Sequence, residues 1–189
     1  PDLTSVPDAR THLAPDPSDV EAIATLRNFF GRRLCFFSQG YCTHETHSHQ
    51  KTDSLIHHIV LLPNKEVVLQ VRDALLKRGR LDYDGRPIFG MSSIEFVDMV
   101  RSVSHDIEVI PAHAWTAWMS IFGSKSGFDS VEECFEDRAK YIHAIETGMS
   151  SDPPMNRRVS KLDKYNLVSF SDPHSSHPSR LGREATLFD

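Results

Sequence analysis

The sequence predicts an α/β fold in which parallel strands alternate with helices and end on residues that can bind a metal. Three apolar segments are each followed by such a residue: 107–112 by His113, 141–145 by Glu146, and 166–171 by Asp172, with His174 two residues further on. Helical patterns separate the segments, as in β-α-β units. Because the carboxyl ends of parallel strands gather around one pocket, these side chains are expected to meet there.

The residue types at these strand ends indicate a particular chemistry. Imidazole and carboxylate ligands together favour zinc or manganese, and two or three such ions are typical of phosphoester hydrolysis. One histidine at a strand end is commonly a core residue satisfied by hydrogen bonds, so the interpretation depends on three consecutive strands that share the pattern.

Composition excludes several classes of protein. The 189 residues are 39% hydrophobic and 25% charged, which is typical of a soluble globular domain. The net charge of −5 means that any nucleic-acid contact requires a local basic patch. Three cysteines without CxxC spacing favour a reducing compartment. With no signal peptide and no apolar run near the ~20 residues of a membrane span, an intracellular protein is expected.

The first third of the chain is predicted to contain a helix over 18–30, a strand over 34–38 and a strand over 56–62. The His-rich tract at 43–50 is interpreted as a loop, with a metal clip as the alternative. The second strand carries His57 and His58, which face opposite sides because they are adjacent, so at most one points into the pocket.

Capping patterns predict the remaining elements. Helices are expected over 65–78, 92–103, 130–140 and 152–163, where each begins at a capping residue, namely Asn64, Ser92 with Glu95, Ser130 with Glu133, and Asp152 with Pro153. A last short strand is expected over 184–188. About four β-α units make an incomplete barrel with exposed sheet edges. A missing N-terminal part is therefore expected, and the chain does not begin with Met.

Several motifs resemble one branch of the PHP (polymerase and histidinol phosphatase) superfamily, the endonuclease Q-like branch. They are PAHAWT at 111–116, GSKSGFDS at 123–130, ETGMSSD at 146–152 and SDPH at 171–174, with further agreement at 84–88 and 181–186. The resemblance covers roughly residues 55–189. It divides the chain into a poorly matching segment, 1–54, and a PHP-like phosphoesterase domain, 55–189.

The resemblance implies a distorted (β/α)7 barrel that holds up to three metal ions and cleaves DNA near deaminated bases. It implies metal-ligand roles for His58, His113, Asp172 and His174, of which Asp172 and His174 are also catalytic, and a weaker one for Glu146. His58 is preferred to its neighbour because the family's ligand directly precedes the apolar run.

The sequence departs from the family pattern in three places. The family opens with His-x-His on its first strand, and no such motif lies at the start of this chain, since His47-Ser48-His49 has the spacing but follows the wrong element. The family has a bridging Glu near the position of Tyr41, where this chain has Gln39, Gly40 and Tyr41. The last motif reads FSDPH at 170–174, where the family usually has Asn-Ser-Asp-Ala-His. The first metal half-site is therefore expected to be absent, with fewer ions bound and activity impaired.

Basic and aromatic residues complete the predicted site. Lys125, Arg157, Arg180 and Arg183 are candidates to neutralise DNA phosphates, with solvated surface charge as the alternative. Trp115 and Trp118 are both candidates to stack on a flipped or unpaired base, and core packing is the alternative for either ring. Two rival functions remain: a small-molecule phosphatase of another PHP branch, and a non-catalytic remnant that binds DNA or a partner.

Overall fold

The structure is a computed structural model that describes residues 34–44, 52–81, 88–125, 128–172, 179 and 182–187, with 34–44, 52–54 and 88 described by backbone only. Several predictions lie outside these residues, namely the helix over 18–30, most of the His-rich tract, the ligand His174 and the phosphate contact Arg180. The division into two domains at residue 54 stays a prediction.

Four strands form a mixed sheet in the order β3-β1-β2-β4. The strands are β1 (Leu34–His44), β2 (Thr52–Leu62), β3 (Ile88–Phe89) and β4 (Glu108–Pro111). β2 pairs antiparallel with both β1 and β4, and only β3 runs parallel to β1. The expectation of parallel strands was therefore wrong for this sheet. Between β1 and β2 the chain has only residues 45–51, fewer than the dozen or so that a parallel crossover needs.

β1 also extends further than predicted, because it continues through Thr43 and His44. The start of the His-rich tract is therefore strand, whereas a loop was expected. β1 and β2 pair over their whole length, from Leu34 opposite Leu62 to His44 opposite Thr52.

The second sheet contains two parallel strands, as predicted. β5 (Ala144–Glu146) and β6 (Asn166–Val168) pair with Glu146 opposite Val168. The backbone amide of Ala114, just beyond β4, donates to the carbonyl of Glu146 at 2.9 Å and so joins the two sheets. Across the described ranges both sheets are open, so a closed barrel is not seen there.

The helices predicted over 65–78 and 92–103 are confirmed. α1 (Lys65–Leu76) begins where the Asn64 side chain accepts a hydrogen bond from the amide of Val67 at 2.9 Å. α2 (Ser93–Val103) begins with a complete capping box between Ser92 and Glu95. Among the helices that the structure describes, none is both long enough and apolar enough to cross a membrane.

The later helices are shorter than predicted. α3 (Val131–Phe135) passes into a 3₁₀ helix over Glu136–Tyr141, and α4 (Pro153–Asn156) is a single turn followed by a 3₁₀ turn at Ser160–Leu162. The predicted helix breaks after α4, where the Arg157 guanidinium donates to the carbonyls of Leu162 and Tyr165. The described residues 184–187 are not a strand, since they contact residues 169–171 mainly through side chains.

The main core lies between the mixed sheet and the helices, and His58 is part of it. The His58 side chain is fully buried, its ring is stacked on Phe96 with centroids 5.3 Å apart, and its Nε2 is 3.1 Å from Ser93 Oγ. Burial lowers the pKa of His58 from 6.5 to about 3. His58 is therefore a neutral core residue at ordinary pH.

This histidine makes folding stability depend on pH. The unfolded chain binds a proton at His58 below about pH 6.5 and the folded chain does not, so stability is lost as the pH falls from 6.5 towards 3. Between pH 6.5 and 5 we expect the His58 contribution to fall by about 2 kcal/mol. Urea denaturation at both pH values should show a smaller loss in the double variant His58→Phe/Ser93→Ala, which removes both hydrogen-bonding partners. An equal loss would contradict the assignment.

Candidate active site

Two histidines meet at the carboxyl end of β4. His57 Nδ1 lies 2.8 Å from His113 Nε2, and the rings are edge to face with centroids 4.8 Å apart. The amide of Ala112 donates to the carbonyl of His57 at 3.0 Å, which holds β2 beside the end of β4. Both side chains are largely buried. The pair is the centre of the candidate site.

The structure places His57, and not the predicted ligand His58, in this group. Successive residues of a strand point to opposite faces, so the two histidines of β2 separate. His57 faces His113, whereas His58 faces Phe96 and Ser93 in the core. The structure does not bring His58 to the other predicted ligands.

Thr116 determines which nitrogen of a neutral His113 carries the proton. The Thr116 hydroxyl lies 2.7 Å from the carbonyl oxygen of Trp118. A carbonyl oxygen can only accept a hydrogen bond, so Thr116 donates its single hydroxyl proton to Trp118. The same hydroxyl is 2.9 Å from His113 Nδ1 and therefore accepts from it. With the proton on Nδ1, His113 Nε2 carries the lone pair and accepts from His57 Nδ1.

Glu146 connects the ends of three strands. One carboxylate oxygen accepts from the backbone amide of His113 at 2.7 Å, and the other accepts from the amide of Phe170, beyond β6, at 3.0 Å. The side chain is almost fully buried. Burial raises the pKa of Glu146 to about 7, the two amide hydrogen bonds oppose this, and the charges of Asp172 and Glu184 add to it. Glu146 thus orients the neighbouring loops.

The backbone around His113 is tightly constrained. His113 has φ 30° and Asp172 has φ 44°, a left-handed region that side chains other than glycine seldom adopt. Gly148 has φ +52°, and a Cβ built on it would lie 2.6 Å from His113 Cβ. Strained residues often mark functional sites, because the surrounding structure must hold them in place. Two of the predicted ligands have this property.

Asp172 lies at the edge of the same region. It is half-buried and close enough to Glu146 for its charge to raise the pKa of that carboxyl. The preceding residue is held by the segment 182–187: Ser171 Oγ donates to the carbonyl of Glu184 at 2.9 Å, and Arg183 Nη2 donates to the carbonyl of Ser171 at 2.7 Å. Arg183 is therefore near the site, with part of its guanidinium bonded to the backbone.

The other predicted DNA contacts differ in their surroundings. The Arg157 guanidinium is bonded to two carbonyls, as described above, and lies 3.8 Å from Asp163. The Trp115 indole donates to Asn156 Oδ1 at 2.8 Å, and its ring packs on Phe122. Lys125 is exposed and lies near Trp118.

The histidine pair fits part of a metal site. Its donors suit zinc or manganese, and His113 Nε2 has its lone pair in place. Two nitrogens on tetrahedral zinc lie roughly 3.3–3.4 Å apart, so a separation of 2.8 Å corresponds to a hydrogen bond that an ion would replace. Within the described ranges, no three His, Cys, Asp or Glu residues lie close enough to hold an ion. A complete site needs a further ligand.

Solved structures with a similar fold are known. The lesion-specific endonuclease PfuEndoQ from Pyrococcus furiosus matches 68% of this chain with a TM-score of 0.59 and 29% sequence identity, over 30% of that chain. Endonuclease Q in complex with a 27-mer duplex substrate, with an abasic lesion at the active site, matches 68% of this chain and 31% of that chain with a TM-score of 0.58 and 29% identity.

Sequence comparison finds two longer, uncharacterised proteins, and no family model matches. The chain is 36% identical over 72 residues to protein MJ0043 of Methanocaldococcus jannaschii, and 39% identical over 75 residues to protein YqxK of Bacillus subtilis. These matches cover 38% and 40% of this chain but 8% and 18% of those proteins. The chain is thus similar in fold and sequence to part of a lesion-specific endonuclease, and spans about 30% of that enzyme's length.

Proposed function

We propose that the chain is part of a metal-dependent phosphodiester hydrolase, similar to endonuclease Q, that cleaves DNA near deaminated bases during repair. The observation that carries the proposal is the match to endonuclease Q over 68% of the chain, at 29% identity. The pair of His57 and His113 supports the proposal. Its imidazole donors lie at the end of β4, where the sequence pattern predicted the metal-binding residue His113.

The proposed ion is zinc or manganese. Two of its ligands would be His57 and His113. Asp172 does not lie close enough to this pair to complete a group of three in the described structure, so Asp172 and His174 are proposed as further ligands from the sequence pattern. When bound, the ion would acidify a water molecule and polarise a phosphate oxygen. The chain's own residues prepare the site: Thr116 keeps the lone pair of His113 on Nε2, and Glu146 fixes the backbone at both His113 and Phe170.

Positive side chains near the site would hold the DNA backbone. Lys125 is exposed, and Arg183 lies beside Ser171, next to the proposed ligand Asp172. Arg180 is a further candidate from the sequence, and Arg157 would contribute mainly through its structural bonds. Because the net charge is −5, such local cations are needed to bind a polyanion.

A nicking assay tests this function. A duplex with one deaminated base or one abasic site is incubated with the chain and zinc or manganese. We expect cleavage that needs the metal and falls more than about a hundredfold in His113→Ala. His105→Ala is the matched control, since His105 is exposed and bonded to Arg101, and it should cleave like the wild type. Equal activity of both variants would contradict the proposed site.

A second candidate function is DNA binding without cleavage. It is favoured by one observation: the described part of the chain contains no group of three metal-binding side chains. This candidate predicts that the same duplex binds in an electrophoretic shift assay but is never nicked with either metal.

A further inference from the structure

We propose that Trp118 and Lys125 form a platform that binds one unpaired base of a DNA strand together with its neighbouring phosphate. The inference deepens the proposed function, and depends on it for the identity of the ligand as DNA. The name platform refers to these two described residues, which lie in the loop that follows His113.

The exposure of Trp118 is the first observation. Its side chain is 66% exposed, while aromatic side chains of the core, such as Phe89, Phe96 and Phe135, are almost completely buried. The ammonium of Lys125 lies 5.8 Å from the centroid of the Trp118 ring. An indole face beside a cation suits a nucleotide, because the base stacks on the ring while the phosphate meets the charge.

The second observation is that the loop is firmly held, although its tip is exposed. The Thr116 hydroxyl donates to the Trp118 carbonyl at 2.7 Å, and the amide of Lys125 donates to the carbonyl of Ala117 at 3.0 Å. A Cβ on Gly123 would lie 2.2 Å from the carbonyl oxygen of Thr116, so the backbone is closely packed under the tip. A platform that is already ordered loses less entropy when it binds a ligand.

The third observation is that the same bonds fix the platform relative to the histidine pair. The hydroxyl that holds Trp118 also accepts from His113 Nδ1, and the amide of His57 donates to the carbonyl of Met119 at 3.1 Å. His113 is therefore bonded to Thr116, which holds the Trp118 carbonyl, and His57 is bonded to Met119, the residue that follows Trp118. A strand stacked on Trp118 would pass beside the candidate site.

The chain's two tryptophans allow a direct optical test. Trp115→Phe leaves Trp118 as the only indole, and its fluorescence is titrated in EDTA with a single strand of about 12 nucleotides, within the site sizes of single-strand binders. The same strand in a fully paired duplex, and an abasic strand of equal length, serve as the other ligands. We expect quenching by the single strand and by neither of the others.

Affinity measurements then test each residue. Fluorescence anisotropy of a labelled single strand should show binding weakened about fivefold or more in Trp118→Ala and within about twofold of wild type in Trp118→Phe. Lys125→Gln should lower the slope of log Kd against log salt concentration by about 0.7. Leu76→Ala is the matched control, since Leu76 is 53% exposed on α1, and it should bind like the wild type.

The outcomes separate this proposal from the proposed function. Trp118→Ala binding as tightly as the wild type, or equal quenching by the abasic strand, would overturn the platform even if the chain nicks DNA. Quenching and Trp118-dependent binding in a chain that never nicks DNA would support the platform and count against the endonuclease.

Discussion

Replacing Gly148 with alanine should destabilise the protein by about 3 kcal/mol and displace His113. Two effects add. Gly148 has φ +52°, which strains any residue with a Cβ, and the new Cβ would lie 2.6 Å from Cβ and 2.8 Å from Cα of His113. The second contact involves the backbone, so no rotation of a side chain relieves it. Chemical denaturation measures the loss of stability.

Gly182→Ala provides a matched control for the conformational part of this effect. Gly182 has φ +67°, and a Cβ there would meet no heavy atom of the described residues within 4 Å. We expect a cost of only about 1 kcal/mol, from the left-handed backbone alone. The difference between the two variants therefore reports the contact between Gly148 and His113. Equal losses would mean that this contact is not close in solution.

Glu146→Gln should destabilise the protein by about 2 kcal/mol, although the two side chains have nearly the same shape. Both carboxylate oxygens accept from backbone amides, those of His113 and Phe170. Glutamine has one oxygen, so one buried amide would lose its partner and face the NH₂ group instead. Denaturation at pH 8, above the Glu146 pKa of about 7, compares the variants while the wild-type group is a carboxylate whose two oxygens can both accept.

Glu133→Gln is the control for this change. The Glu133 carboxylate accepts from the amide of Asp129 at 2.7 Å, and a glutamine oxygen can accept the same bond. We expect a loss well under about 1 kcal/mol, mainly from the charge at the start of α3. If Glu146→Gln costs no more than Glu133→Gln, Glu146 does not hold the two loops together.

Helix-capping residues and apolar patterns in the sequence were sufficient to predict the helices and strands that depend on them. Asn64, Ser92 and Ser130 each accept the hydrogen bond that begins a helix, as their spacing predicted. The strands that lead to His113 and Glu146 are present, and β5 and β6 are parallel. These features depend on residues a few positions apart, which the sequence displays directly.

Features that depend on tertiary contacts were harder to predict. Apolar periodicity does not reveal the direction of a neighbouring strand, so the antiparallel pairing of β2 with β4 was missed. Alternation along β2 separated His57 from His58 but did not show which face was the core. The deciding residues, Ser93 and His113, lie 35 and 56 positions further along the chain from their partners.

The aromatic residues show the same limit. Trp115 and Trp118 were both candidates to stack on a base, and the sequence did not distinguish them. The structure shows that the Trp115 indole donates to Asn156, 41 residues away. Trp118 is the exposed ring. One signal was available in the sequence: Thr116 and Gly123 flank Trp118, and a hydroxyl with a glycine is typical of a tight, internally bonded loop.

The most direct test of the candidate site is metal binding by the purified chain, measured by calorimetry and elemental analysis. We predict that zinc or manganese binds and that His57→Gln abolishes binding, while His58→Gln, which is checked for cooperative unfolding, still binds the ion. Only His57 faces His113, and His58 lies in the core beside Ser93. Normal binding by His57→Gln, together with loss in a folded His58→Gln, would contradict the site described here.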